Sequence, residues 1–301
     1  MERYVSHKGV YCQVFEDGWR VRVWENDKTG QRETVAWKRR LYVPIADYDD
    51  PDLKVTNIDQ SGTELEAQRK EAARLRALEN SGRRAKRNCR WRIKSAAVAQ
   101  LLTLTYKENQ QDFDRARADW KAFWRKVARY WPGARAIFSF EQQQRGAWHV
   151  HAAIDKLPTH FNIDGQRVRS FDFLRRLWRS VVGEGNIDVD GHRKNKFGLP
   201  SQSKAEGKAR QSESLVKLAG YVSKYLTKDY GSGLIGRNRW GSTQNIDVPP
   251  AIVFDMPEMP LSELIALAFD QRPGERIAAH RMGQFGKLWV LYTEPDPGTL
   301  H

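Results

Sequence analysis

AIFSFEQQQRGAWHVHAAID, residues 136–155, holds two runs of strand-forming residues around a polar break. The runs Ala136 to Gln142 and Trp148 to Asp155 are rich in apolar and aromatic residues, and Gln143-Gln144-Arg145-Gly146 between them is short enough for a tight connection that Gly146 permits. The stretch therefore predicts an antiparallel hairpin. Successive side chains of a strand point to opposite faces, so His149 and His151 share one side while Val150 and Ala152 share the other. Closing the hairpin puts Glu141 roughly opposite His149.

Working outward, the pattern predicts a strand over Leu101 to Tyr106, and helices over Asp112 to Tyr130, Phe171 to Val182 and Ser214 to Thr227. In the first of these helices Phe113, Trp120, Phe123, Trp124 and Val127 form an apolar stripe opposite Arg115, Lys121, Arg125 and Arg129. Strands and helices mixed in this order around a hairpin indicate an α+β fold. Before it, Val10, Cys12 and Val14, an Asp17-Gly18 turn, then Trp19, Val21 and Val23 and a second turn at Asn26 to Gly30 predict a small β-meander ending near Val43. The acidic stretch Asp47 to Asp59 reads as a linker, followed by a helix over about Glu64 to Asn80. Beyond Pro249 the pattern offers one helix, Leu261 to Phe269, and one strand, Leu288 to Tyr292.

The chain has 301 residues, enough for two lobes, and its 51 Lys and Arg against 37 Asp and Glu leave a formal charge of +14. Global disorder is excluded by a 40% hydrophobic, 11% aromatic composition. Two distant cysteines, Cys12 and Cys89, supply neither a disulfide framework nor a cysteine zinc site, which fits a reducing compartment. With no apolar run of membrane-spanning length and no apolar leader, the expectation is a cytoplasmic protein without a membrane partner. The positive surplus suits a phosphate backbone. It is densest over Arg83, Arg84, Lys86, Arg87, Arg90, Arg92 and Lys94, with Trp91 among them, so that guanidinium groups hold phosphates while the indole stacks on an unpaired base. Such a run is equally compatible with a solvated helix face.

Two imidazoles converging from one strand can hold a divalent ion, and Glu141 offers a third, oxygen ligand. That mixed set, with positions left for water or phosphate, suits Mg²⁺ or Mn²⁺ better than a structural zinc. Spacing alone leaves a second reading: ordinary strand histidines, and a carboxylate paired with Arg145. In LVKLAGYVSKYLTK, residues 215–228, Leu215, Leu218, Ala219, Val222 and Leu226 make a core-facing stripe. Tyr221 and Tyr225 lie on its flank beside Lys217, Lys224 and Lys228. Two phenols among ammonium groups are either boundary residues with wet hydroxyls or nucleophiles next to charges that neutralise phosphate.

Taken in order, Leu102-Thr103-Leu104-Thr105-Tyr106, Arg145-Gly146-Ala147-Trp148-His149-Val150-His151 and Tyr221-Val222-Ser223-Lys224-Tyr225-Leu226-Thr227-Lys228 resemble motifs I, II and III of the HUH endonucleases. More narrowly they look like the two-tyrosine rolling-circle replication initiators of small phages and plasmids. The resemblance implies a central five-stranded antiparallel sheet of ferredoxin or RRM type, with His149, His151 and Glu141 as ligands of Mg²⁺ or Mn²⁺, Tyr221 and Tyr225 as nucleophiles and Lys224 as their phosphate neighbour. It implies nicking of single-stranded or hairpin origin DNA through a 5′-phosphotyrosine, in a bacterial cytoplasm. Nucleic-acid contacts are expected from Arg87, Arg90, Trp91, Arg92, Lys228, Arg237 and Arg239; the last two lie in a basic stretch like the one that follows motif III. No G-x-x-x-x-G-K-[ST] loop is present, so unwinding falls to a host helicase and extension to a host DNA polymerase. The organisation read this way is a β-rich accessory region and linker over 1–60, a basic helical arm over 61–95, the nuclease domain over 96–245 and a C-terminal extension over 246–301. A transposase or relaxase of the same fold, or a non-catalytic single-strand-binding module, are the competing expectations.

Overall fold

The computed structural model describes residues 3–7, 10–45, 63–190, 214–224, 226, 237–243, 246–270, 275–283 and 288–295. The chain divides into two compact units, Glu79–Val248, and Met1–Leu78 together with Pro249–His301. In chain order the described elements begin with β1 (Arg3–His7), β2 (Val10–Asn26), β3 (Gln31–Pro44) and helix α1 (Thr63–Ala96). Next come β4 (Gln100–Tyr106), α2 (Phe113–Tyr130), β5 (Ala136–Gln142), β6 (Trp148–Ile154), β7 (His160–Ile163), β8 (Gln166–Arg169), α3 (Ser170–Val182) and β9 (Gly185–Val189). The series closes with α4 (Leu215–Lys224), β10 (Trp240–Ser242), β11 (Ile252–Met256), α5 (Leu261–Asp270), β12 (Arg276–Met282) and β13 (Leu288–Glu294).

The unit that contains both chain ends is built on a sheet of order β1-β2-β3-β13-β12, with β11 also paired to β2. Where the sequence predicts a turn at Asp17-Gly18, β2 runs on unbroken. Gly18 sits at φ +71°, and the register against β3 slips by one residue between Glu16 and Trp19, which makes the feature a β-bulge. A side chain there would meet the Met256 carbonyl oxygen at 2.2 Å, so glycine is required twice over. The residues read as a C-terminal extension supply three of this sheet's strands and helix α5, whose Leu264 packs with Trp19, Val21, Ala36, Trp289 and Leu291. The expected linker, residues 47–59, lies outside the described residues.

The second unit is a five-stranded antiparallel sheet of order β10-β5-β6-β4-β9. The series β4-α2-β5-β6-α3-β9 is the β-α-β-β-α-β unit of ferredoxin-like folds, with β10 added at the β5 edge. Asp112 caps α2 by accepting from the backbone N–H groups of Asp114 and Arg115. One face of the sheet, carrying Leu102, Leu104, Phe140, Val150 and Ala152, packs against Trp120, Phe123 and Val127 of α2 and Phe173, Leu174 and Trp178 of α3. Each large side chain fully withdrawn from water here is worth about 1.5–3 kcal/mol. On the opposite face Leu101, Ile137 and Ala153 lie under Cys89 and Ile93 of α1 and Leu218, Ala219 and Val222 of α4. Layers on both faces explain why all seven residues of β6 are buried. Among the described residues no helix is long and apolar enough to cross a membrane.

Candidate active site

The central hairpin forms in the predicted register: Glu141 on β5 is paired with His149 on β6, and Ser139 with His151. Gly146 takes φ +89° in the connection, Gln143 N–H donates to the Ala147 carbonyl at 2.9 Å and Gly146 N–H to the Gln143 carbonyl at 2.8 Å. On the other side of β6, His151 is paired with Thr103 and His149 with Thr105, and β9 continues these rows with Asp188 and Asn186. Both histidines thus lie on the face that α1 and α4 cover farther along at Ala153.

His151 is 4% exposed and His149 9%. His151 Nε2 stands 2.9 Å from Glu141 Oε2, and the Thr103 hydroxyl 3.1 Å from His151 Nδ1. The Gln143 side-chain amide stands 3.2 Å from His149 Nδ1, while His149 Nε2 is buried with no hydrogen-bond partner among the described residues. Such an orphan nitrogen is costly to keep dry and marks a place for an added donor or ion. Burial first, and then the neighbouring His151, push the His149 imidazole down to about 4; Glu141 pulls it upward and Arg145 adds to the lowering. Neutral at ordinary pH, His149 is in the protonation state that a metal ligand needs.

The donor chemistry fits a hard divalent ion: two imidazoles and a carboxylate. Ligands at about 2.1 Å on adjacent octahedral positions stand about 3 Å apart, close to the His151–Glu141 separation. The two imidazole centroids, however, are 6.4 Å apart, and no group of three His, Cys, Asp or Glu side chains among the described residues stands ready-made around one point. Two of the three expected ligands are in contact and the third is not.

Helix α4 brings the phenol. Val216, Leu218, Ala219, Val222 and Ser223 are its buried residues, and Ser139 Oγ of β5 donates to the Val222 carbonyl at 2.8 Å, tying the helix to the sheet one strand from His151. Tyr221, half-buried on the flank, meets the His151 ring edge to face with centroids 5.6 Å apart. Lys224 Nζ lies over the Tyr221 ring, 4.2 Å from its centroid, so its charge sits on the ring face. Tyr225 and Lys228 lie outside the described residues.

The expected nucleic-acid contacts are dispersed. Trp91 is 8% exposed with Arg87 5.1 Å from its ring, so the indole read as a base-stacking surface is an interior side chain. That end of α1 is packed on the sheet, which a basic run in sequence does not reveal. Arg90 is half-buried. Arg92 donates to Ser242 Oγ at 2.6 Å and lies over Trp240, at the β10 edge. Arg237 is exposed and paired with Asp114 at 2.7 Å, and the Arg239 carbonyl accepts from Phe140 N–H at 2.9 Å. Thr103 and Gln143, which contact the imidazoles, were not singled out from sequence; the signal for Thr103 is its alternation with Leu102 and Leu104, which puts it on the histidine face.

Neither the curated proteins nor the solved structures include a match to this chain. A family model described as a replication-associated protein of the ORF2 group matches residues 99–230, a stretch that holds Glu141, both histidines and Tyr221. Over that stretch the chain is similar to replication-associated proteins, and DNA replication is the functional class to which both the match and the site lead.

Proposed function

We propose that this protein is a replication initiator that nicks one strand of DNA by tyrosine transesterification. The observation that carries the reading is the edge-on approach of the Tyr221 ring to His151, itself in contact with Glu141, inside the segment matched by the replication-associated family. The phenol oxygen of Tyr221 attacks the scissile phosphorus, a tyrosyl P–O bond forms, and the P–O3′ bond breaks. The phenolic proton is accounted for on the released 3′-hydroxyl, which a polymerase extends, while the 5′-phosphate stays on the protein. Because the new phosphodiester keeps the energy of the old one, a later attack by a 3′-hydroxyl rejoins the strand without ATP. Tyr225, one helical turn on in sequence, would permit a second such exchange.

His149, His151 and Glu141 would hold Mg²⁺ or Mn²⁺, which when bound stabilises the charge gathering on the nonbridging phosphate oxygens. Thr103 and Gln143 would fix the imidazoles through their Nδ1 atoms, as partners of metal-bound histidines do. Lys224 would balance phosphate charge beside the phenol.

The test is cleavage of end-labelled single-stranded origin DNA with Mg²⁺ or Mn²⁺ added or withheld. Wild type should cut only with metal, and the His149→Ala/His151→Ala variant should bind the oligonucleotide but leave it intact. Metal-independent cutting, or cutting by that variant, would remove the proposed metal site, and an uncut strand under every condition would favour a binding module.

A further inference from the structure

A cleft of about 660 Å³ opens where β4 ends and β9 begins, against the C-terminal half of α3. Its walls include Lys107, Arg175 and Arg179, with Glu184 as the one carboxylate, so two positive charges are in excess. The Lys107–Glu184 pair has both side chains about two-thirds exposed, which makes it an exchangeable contact that a phosphate can replace. Arg179 spends Nε on the Gly185 carbonyl at 3.0 Å; its terminal nitrogens hold no partner among the described residues. Arg175 makes only a long 3.4 Å contact to Asp172. At Gly183 a side chain would project into open space, so glycine there leaves the floor bare.

The cleft is continuous with the proposed site. Thr105 and Asn186 line it, and these residues extend the cross-strand row Glu141–His149–Thr105–Asn186. At about 4.8 Å between strands, Asn186 lies about 10 Å from His149, on the order of two or three nucleotides of a DNA strand. Because β9 is the sheet edge, a strand leaving the His149 row meets no further sheet on this side.

We infer that the β4–β9–α3 cleft seats the sugar-phosphate backbone of single-stranded DNA a few nucleotides from the scissile phosphate, with Lys107, Arg175 and Arg179 on the phosphates. The inference rests on the proposed nicking reaction for the identity of the strand; the cleft's charge and shape stand without it. Binding is measured by fluorescence anisotropy of a labelled oligonucleotide over a salt series, without metal and in the Tyr221→Phe background, so that the result does not depend on cutting. Each phosphate contact in single-stranded DNA contributes about 0.7 to the slope of log K against log salt, so Lys107→Gln/Arg175→Gln/Arg179→Gln should lower the slope by about 2. The control, Arg117→Gln/Lys121→Gln/Arg125→Gln, removes the same charge from the exposed side of α2 and should lower it far less. Equal losses from both triple variants would show a nonspecific charge effect and overturn the inference, as would an unchanged slope in the cleft variant. Should the cleft variant fail to fold, Lys107→Gln alone, at an exposed side chain, must lower the slope by about 0.7.

Discussion

Replacing His149 by Phe should flatten the acid side of the stability profile. In the folded chain the His149 imidazole is pushed from 6.5 down to about 4, mainly by burial. Between these values the unfolded chain binds the proton and the folded chain does not, so stability falls as the pH drops from about 6.5 toward 4 and is complete above 6.5. A separation of 2.5 pH units corresponds to about 3 kcal/mol at 1.36 kcal/mol per unit. Water reaching a site that must admit a phosphate screens part of this, and about 1.5 kcal/mol is the expected size. The assay is urea unfolding of wild type and His149→Phe without added metal, at about pH 7 and about pH 4. Carboxylates titrate in both proteins and cancel in the difference. Wild type should lose about 1.5 kcal/mol more than the variant on acidification. Identical losses, or an imidazole that titrates near 6.5 in a proton NMR series, would refute the burial argument.

Ser139→Ala removes the hydroxyl that donates to the Val222 carbonyl from a fully buried position, and should cost about 1–2 kcal/mol in urea unfolding while loosening amide exchange at the end of α4. Gly18→Ala forces a side chain into a left-handed residue and against the Met256 carbonyl, and should lower the stability of the sheet that contains it by about 2 kcal/mol or more, roughly half of it from the backbone conformation alone; a neutral effect in chemical unfolding would deny that the bulge is fixed.

The central hairpin was legible because its cues are local. A period-two pattern, a glycine in a short connection and two histidines of equal parity specify both the pairing and the shared face, and Glu141 fell opposite His149 as expected. The α4 stripe was legible for the same reason, although its helix ends at Lys224, short of the predicted Thr227. Helix α1 was placed correctly at its start but runs sixteen residues past the expected end at Asn80, to Ala96, because its later turns owe their stability to packing of Cys89 and Ile93 on the sheet. That same packing hid the fate of Trp91. The largest gap concerns the unit that joins both ends of the chain. Pairing β13 with β3 and β11 with β2 spans more than 200 residues, and no local pattern encodes a partner that distant. Strands β11 and β12 are mostly exposed, so they lack the alternation that reveals a half-buried strand. At Asp17-Gly18 a turn and a bulge demand the same residue types, and only the partner strand distinguishes them.

The central claim is a phenol that takes the 5′-phosphate of a cut strand. Its most direct measurement is mass spectrometry of protease-digested protein after incubation with single-stranded origin DNA and Mn²⁺. The account predicts a nucleotide-bearing peptide modified at Tyr221 or Tyr225 in the wild type, and none from Tyr221→Phe/Tyr225→Phe. An adduct surviving in that double variant, or a strand cut to a free 5′-phosphate with the tyrosines unmodified, would contradict it.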